Sequence, residues 1–208
     1  MRLPSIAIAL LCLSGVPASA VMADDTIAAT ATRKAEVLEE KAASDPQAKP
    51  APASQAITPA EAQAVDPAGQ APLDDALTCM ARSIYWEAKG GNQKDMEDVA
   101  NVVMNRLGQP EFPDTVCAVV KQGSEKKGCQ FSWWCDGRAD QVKEDDRYTV
   151  AKDIARLALN RQLPDRTHGA QYFHDHSVAP AVFKRMVRTA RTGTFVFYRP
   201  RAEQAQAR

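Results

Sequence analysis

The 208-residue sequence has no apolar stretch long enough to cross a bilayer. Its longest such run, Ile6 to Val16, falls short of the roughly 20 residues a spanning helix needs. It has no Gly-rich phosphate loop and no G-x-S-x-G elbow, and no helix carries H-E-x-x-H, so nucleotide, serine-hydrolase and zincin chemistries lose their usual signatures. Short C-x₂-C pairs are also missing, which argues against a Cys-rich zinc site. The formal net charge is +0, with no block of like charge strong enough to indicate nucleic acid. Residues 24–72 lack aromatics altogether and hold few large aliphatics.

The N-terminal run does fit a leader. Arg2 precedes a short apolar segment, and "PASA" and "VMA" end in small residues, so we expect a signal peptide over 1–23, cut after Ala20 or Ala23. Export would leave the chain periplasmic or cell-wall associated, with no stable membrane anchor after cleavage. Cys12 would leave with the leader. The remaining cysteines, Cys79, Cys117, Cys129 and Cys135, would then form two disulfides in an oxidising compartment. Three connectivities are open, and we favour Cys117–Cys129 with Cys79–Cys135.

Charge divides the mature chain. Residues 24–72 hold four Lys/Arg against eight Asp/Glu, a balance of −4; residues 73–208 hold 21 against 18, a balance of +3. The acidic, Ala/Pro-rich part reads as a disordered tether, because it offers too little apolar surface to offset ordering entropy. "TRKAEVLEEKAAS" within it reads as a transient helix.

From Leu73 the pattern becomes that of a fold. "DDALTCMARSIYWEAKGG" and "NQKDMEDVANVVMNRLG" carry apolar residues at helical spacing, the second capped by Asn92. "PDTVCAVVKQ", "DDRYTVAKDIARLALNR" and "APAVFKRMVRTARTG" predict three more helices. "CQFSWWC", "GAQYFHDH" and "TFVFYR" alternate and predict short strands. The sum is an α+β domain over 73–201, a mainly helical body with a small antiparallel sheet, followed by a flexible tail over 202–208.

Glu87 is the leading chemical group. A helical wheel puts it at the edge of the apolar stripe, near the helix C-terminus and flanked by Tyr85. Desolvation and the dipole would both favour its neutral form, as a general acid requires, whereas Lys89 would oppose them. An ordinary solvated glutamate at a helix end fits the same pattern. Trp86 points away from the core, either covered by further chain or offered to a flat sugar ring. In the "QFSWW" segment Phe131 and Trp133 face inward, while Gln130, Ser132 and Trp134 share the other face.

All three histidines, His168, His174 and His176, lie in "THGAQYFHDH". His174 and His176 would share a strand face, but hydrogen-bonded structure is the commoner use, and neither a metal nor any other cofactor is expected. Lys184, Arg185, Arg188 and Arg191 would form one basic stripe on the last helix, either a plain solvated face or a contact for an anionic glycan.

Six stretches, "ARSIYWEAKGG", "VANVVMNRL", "FPDTVCAVV", "CQFSWWCDG", "GAQYFH" and "VRTARTGTFVFYR", occur in the order found in the spore-cortex-lytic (SleB/CwlJ-type) cell wall hydrolases, which the chain resembles over about residues 76–200. The resemblance implies a lysozyme-like domain acting on peptidoglycan strands, with its catalytic acid at Glu87. It also implies a cleft lined by Gln130, Ser132 and Trp133, with Tyr172, His174 and Tyr198 as further cleft residues. The family's usual "EARGE" reads "EAKGG" here, so Lys89 replaces an arginine and Gly91 a second acid. Only Asp95, Asp98 and Asp136 then remain as partners for Glu87, which favours a lytic transglycosylase over a hydrolytic muramidase. A non-catalytic peptidoglycan-binding protein is the reading from another class.

Overall fold

The computed structural model describes residues 18–124 and 128–201. The expected leader up to residue 17 and the expected tail over 202–208 lie outside the described residues. The expected cleavage points after Ala20 and Ala23 fall in the first turns of a helix, α1 (Ala18–Ser44).

A helix buried on nearly all sides organises the body. α3 (Ala76–Ala88) starts where the Asp75 carboxylate accepts from Thr78 N–H, and eleven of its thirteen residues are buried. It packs against α1, α4 (Gln93–Arg106), α5 (Val116–Lys121) and α6 (Asp145–Leu159). α4 opens with a reciprocal cap, in which Asn92 and Asp95 each accept the other's backbone N–H. Thr115 caps α5, its side chain accepting from Ala118 N–H. Asp145 and Asp146 put negative charge in the first turn of α6, where the helix dipole favours it.

The sheet is three-stranded and antiparallel in the order β1-β3-β2, with β1 at Tyr172–Asp175, β2 at Val187–Thr192 and β3 at Phe195–Arg199. Phe195, Val196 and Phe197 of the central strand are buried. Thr194 N–H and Oγ both donate to Asp95, which fastens the β2–β3 turn to the start of α4. The expected α+β architecture is therefore present, with three local differences.

The predicted last helix is instead a 3-10 turn, Ala181–Arg185, followed by β2. Pairing with β3 overrides the helical spacing here, since Val187 and Thr192 are β-branched and fit a pleated ladder. No helical basic stripe exists; Arg188 and Arg191 lie exposed on a strand. The predicted "QFSWW" strand is a 3-10 turn, Ser132–Trp134. That turn also explains the cysteines. Cys129 pairs with Cys135 and Cys79 with Cys117, not as we favoured. Six extended residues would separate Cys129 and Cys135 by about 20 Å, whereas the turn brings their Cα atoms to 6.4 Å. Cys117 meets Cys79 because α5 lies along α3, with their Cα atoms 5.2 Å apart.

The largest correction concerns the expected tether. Residues of 24–72 form α1 and α2 (Pro59–Ala64), and the segment wraps the helical body. Ala31, Ala35, Leu38 and Ala42 recur at i, i+4, i+7 and i+11 and are buried. Small side chains lose little rotamer entropy and let backbones approach closely. Gly108, at φ +70, marks that approach, since a Cβ there would lie 2.1 Å from the Ala43 carbonyl oxygen.

Polar groups complete the strap. Asn160 exchanges two 2.9 Å bonds with the Ile57 backbone, and Glu39 accepts from Val116 N–H at the start of α5. Asp66 is the most heavily bonded of these anchors. Its Oδ1 accepts from Gln70 and Ala71 N–H, and its Oδ2 accepts from Arg82 Nε at 2.9 Å and Tyr148 Oη at 2.7 Å. These partners hold its pKa low against the opposing effect of burial, which is the largest single influence. An Asp66→Ala variant strands the buried Arg82 guanidinium. It should lose about 3–5 kcal/mol of stability in urea unfolding; a loss below about 1 kcal/mol would show the strap to be dispensable.

Candidate active site

Trp86 and Glu87 are the two residues of α3 that keep partial exposure. They sit in its last turn, where the packed bundle meets the 3-10 turn Ser132–Trp134. Two cavities meet there, of about 440 and 590 Å³, and both are lined by Glu87 and Ser132. A groove thus runs past the carboxylate on either side. One arm is walled by Arg106, Gln130, Tyr172, His174, Asp175 and Phe183. The other is walled by Trp86, Lys89, Trp133, Asp136, Asp140 and Lys143.

Burial pushes the Glu87 carboxyl up to about 7, against the charge of Arg106 and a hydrogen bond from the Ser132 backbone N–H. Lys89 takes no part in this balance. Its ammonium lies 4.3 Å from the Trp86 ring centre and 3.9 Å from Glu144. Trp86 is therefore only partly covered: Lys89 lies over its ring and its Nε1–H donates to the Asp140 carbonyl at 3.1 Å, while the residue still lines the far arm.

The other expected cleft residues divide. Gln130 and Ser132 are exposed in the groove, while Trp133 lines it but is only 6% exposed. Tyr172 and His174 line the first arm. His174 Nδ1 lies 2.8 Å from the Asp175 carbonyl and Nε2 lies 3.1 Å from Tyr198 Oη. A carbonyl only accepts, so Nδ1–H donates to it, and in a neutral ring Nε2 accepts from the tyrosine. Tyr198 stacks behind His174, with ring centres 5.3 Å apart, and is not among the groove-lining residues. Tyr85 is fully buried, and its Oη accepts from Lys143 N–H, so it belongs to the core.

Among the three acids considered as partners, Asp95 and Asp98 are buried at the β2–β3 turn, engaged by Thr194 and by Thr192 with Arg166. Asp136 does reach the groove, as does Asp140, which the sequence reading passed over. Burial and the neighbouring Asp136 charge raise the Asp140 carboxyl, with Arg82 opposing. Gly91 is explained by space: a Cβ there would come within 2.5 Å of Asp95 Oδ2, which is held by Asn92 N–H and Thr194 Oγ1. A longer side chain at 91 would displace the bonds that join α4 to the sheet.

Arg106 and Phe183 were also missed. Arg106 had a signal, since it continues the buried register of Met96, Val99 and Val103 at i+10, i+7 and i+3. Phe183 had none, because its segment read as a helix.

Comparison with known proteins finds a family model described as Cell Wall Hydrolase that matches residues 90–198, beginning just after Glu87. The spore cortex-lytic enzyme of Halalkalibacterium halodurans is 31% identical over 113 residues, covering 54% of this chain and 30% of that protein. The match therefore spans less than a third of that relative's length. Among solved structures, the catalytic domain of the Bacillus cereus SleB protein is similar at a TM-score of 0.49 and 23% identity, covering 60% of this chain and 89% of that one. The catalytic domain of the germination-specific lytic transglycosylase SleB from Bacillus anthracis gives 0.48 and 23%, covering 60% and 93%.

The raised carboxyl has a consequence for stability that needs no substrate. Between about 4.5 and about 7 the folded chain keeps a proton on Glu87 that the unfolded chain has released, so Glu87 lowers stability as pH rises through that window. Glu87→Gln should match the wild type near pH 4 and exceed it by about 2–3 kcal/mol at pH 8. Equal stability at both pH values would show that the carboxyl titrates normally.

Proposed function

This chain belongs to the cell wall hydrolase family, and from that premise we propose that it is an exported peptidoglycan glycosidase. In this reading it cleaves the MurNAc–GlcNAc bond as a lytic transglycosylase, with Glu87 as both acid and base. The observation that carries the proposal is a carboxyl raised to about 7 at the junction of a groove open to both sides. A glycan strand lying along that groove would present an internal bond to the acid. The name of the curated relative, a spore cortex-lytic enzyme, agrees with a wall polymer as substrate. The leader expected from the sequence and the two disulfides agree with an oxidising compartment outside the cytoplasm.

The step needs one carboxyl. Protonated Glu87 gives its proton to the glycosidic oxygen as the bond from muramyl C1 to that oxygen breaks. The resulting Glu87 carboxylate takes the proton of the muramyl C6 hydroxyl as O6 bonds to C1. The products are a strand ending in 1,6-anhydromuramic acid and a free GlcNAc 4-hydroxyl, and Glu87 returns to its starting state. A group with a pKa near neutrality serves both halves of this cycle. Gln130, Ser132, Trp133, Tyr172 and His174 are the proposed substrate contacts.

A hydrolytic version has one observation in its favour, the presence of Asp136 and Asp140 in the far arm, where either would activate water. Mass spectrometry of digested sacculi separates the two. Anhydromuramyl ends are expected, and exclusively reducing ends would establish the hydrolase. Glu87→Gln should lower turnover by about 10²–10⁴-fold. Full activity in that variant would remove Glu87 from the chemistry, and glycan binding without any turnover by the wild type would make the protein a binding module.

A further inference from the structure

Two arginines of this fold are buried to the same 2% exposure and treated in opposite ways. Arg82 has a carboxylate, Asp66, at 2.9 Å. Arg106 has none within ion-pair distance among the described residues. Its Nε donates to the Gln171 carbonyl at 2.8 Å and its Nη2 makes a long 3.4 Å bond to Gln130 Oε1. Its Nη1 is buried with no partner. The guanidinium sits among the rings of Phe112, Phe131 and Tyr172, 5.1, 5.1 and 5.6 Å from their centres.

A buried cation ordinarily requires a counter-charge or a full set of acceptors, and Arg106 has neither. Burial lowers its pKa to about 10, against the opposing influence of Tyr172 and Glu87, so it remains charged at neutral pH, where Glu87 is the one of these two able to supply a negative charge. Arg106 and Glu87 wall the same cavity from α4 and α3. The carboxylate that would balance the guanidinium is the one that forms when Glu87 gives up its proton.

We propose that Arg106 is a positioning residue that acts through Glu87: its buried, unbalanced charge receives the Glu87 carboxylate formed at bond cleavage and keeps it turned to the groove. This rests on the acid role of Glu87 proposed above and adds the group that sets the energy of the deprotonated half of the cycle. Other titratable groups reach the same groove. Tyr172, His174 and Asp175 share the arm with Arg106. Lys89, Asp136 and Asp140 line the far one, with Arg138 and Lys143. Glu87 must therefore be observed directly and not inferred from rate alone.

The experiment is a ¹³C-carboxyl NMR titration of Glu87 in the wild type, Arg106→Lys and Arg106→Gln, with pH profiles of kcat and KM on peptidoglycan for each. Removing the charge should raise the Glu87 midpoint by about one unit or more, move the alkaline limb of kcat upward and lower kcat with little change in KM. Arg106→Lys should hold the midpoint close to that of the wild type. An unchanged midpoint in folded Arg106→Gln overturns the proposal and leaves the acid assignment standing. A fully active Glu87→Gln would instead sink the acid assignment. If Arg106→Gln fails to fold, the wild-type Arg106 Nε–H resonance decides. It should shift with the Glu87 midpoint and lose that step in Glu87→Gln, and a flat trace through neutral pH overturns the proposal.

Discussion

The burial of α3 is the constraint on which the rest of this structure depends. Helices pack on it from several directions, and eleven of its thirteen residues end in the core. A helix covered this completely has little exposed surface left, and here it lies at Trp86 and Glu87 in the last turn. The same packing that stabilises the domain therefore desolvates the carboxyl at its end. Burial is the first cause of the raised Glu87 pKa, while Arg106 and the Ser132 N–H only moderate it. The site is where the core reaches the surface, and its chemistry follows from that position.

Coverage of α3 requires the strap formed by α1, α2 and the chain up to residue 72. The family match begins at residue 90, so this strap lies outside it. It nevertheless supports the groove through a short chain of bonds. Asp66 holds the Arg82 guanidinium, whose Nη1 donates to the Asp140 carbonyl. That carbonyl also accepts from Trp86 Nε1. Asp140 and Trp86 both wall the far arm of the groove. A change at Asp66, within the strap, is thus a change to the groove wall, transmitted by a buried pair of charges.

Much of this arrangement was legible in the sequence, and the failures share a cause. Four core helices and two of the strands follow from apolar spacing, and Glu87 was placed at the core's margin by the wheel alone. The strap was misread because its stripe is alanine, which scores as weakly apolar yet packs closely. It also uses buried polar anchors such as Asp66 and Asn160, whose partners lie far away in sequence. The segment around Val187 has helical spacing but pairs with β3, a contact no local pattern encodes. The cysteine pairing depended on whether "QFSWW" is extended or turned, which is decided by packing of Phe131 and Trp133. In each case a tertiary contact overrode a local preference.

In the proposed mechanism the two buried arginines separate stability from activity within one core. At Arg82 charge and counter-charge are both present and fully bonded, so the pair fixes a shape. At Arg106 the cation is in place while the carboxyl facing the same cavity keeps its proton near neutrality. Completing that second pair in the resting state would lower the Glu87 pKa and remove the proposed acid. Deleting the cation would leave the conjugate base without support. A buried positive charge kept short of its partner is the arrangement in which a single carboxyl can both release and recover a proton. At Gly91, where a Cβ would crowd the Asp95 carboxylate, the chain carries no second acid.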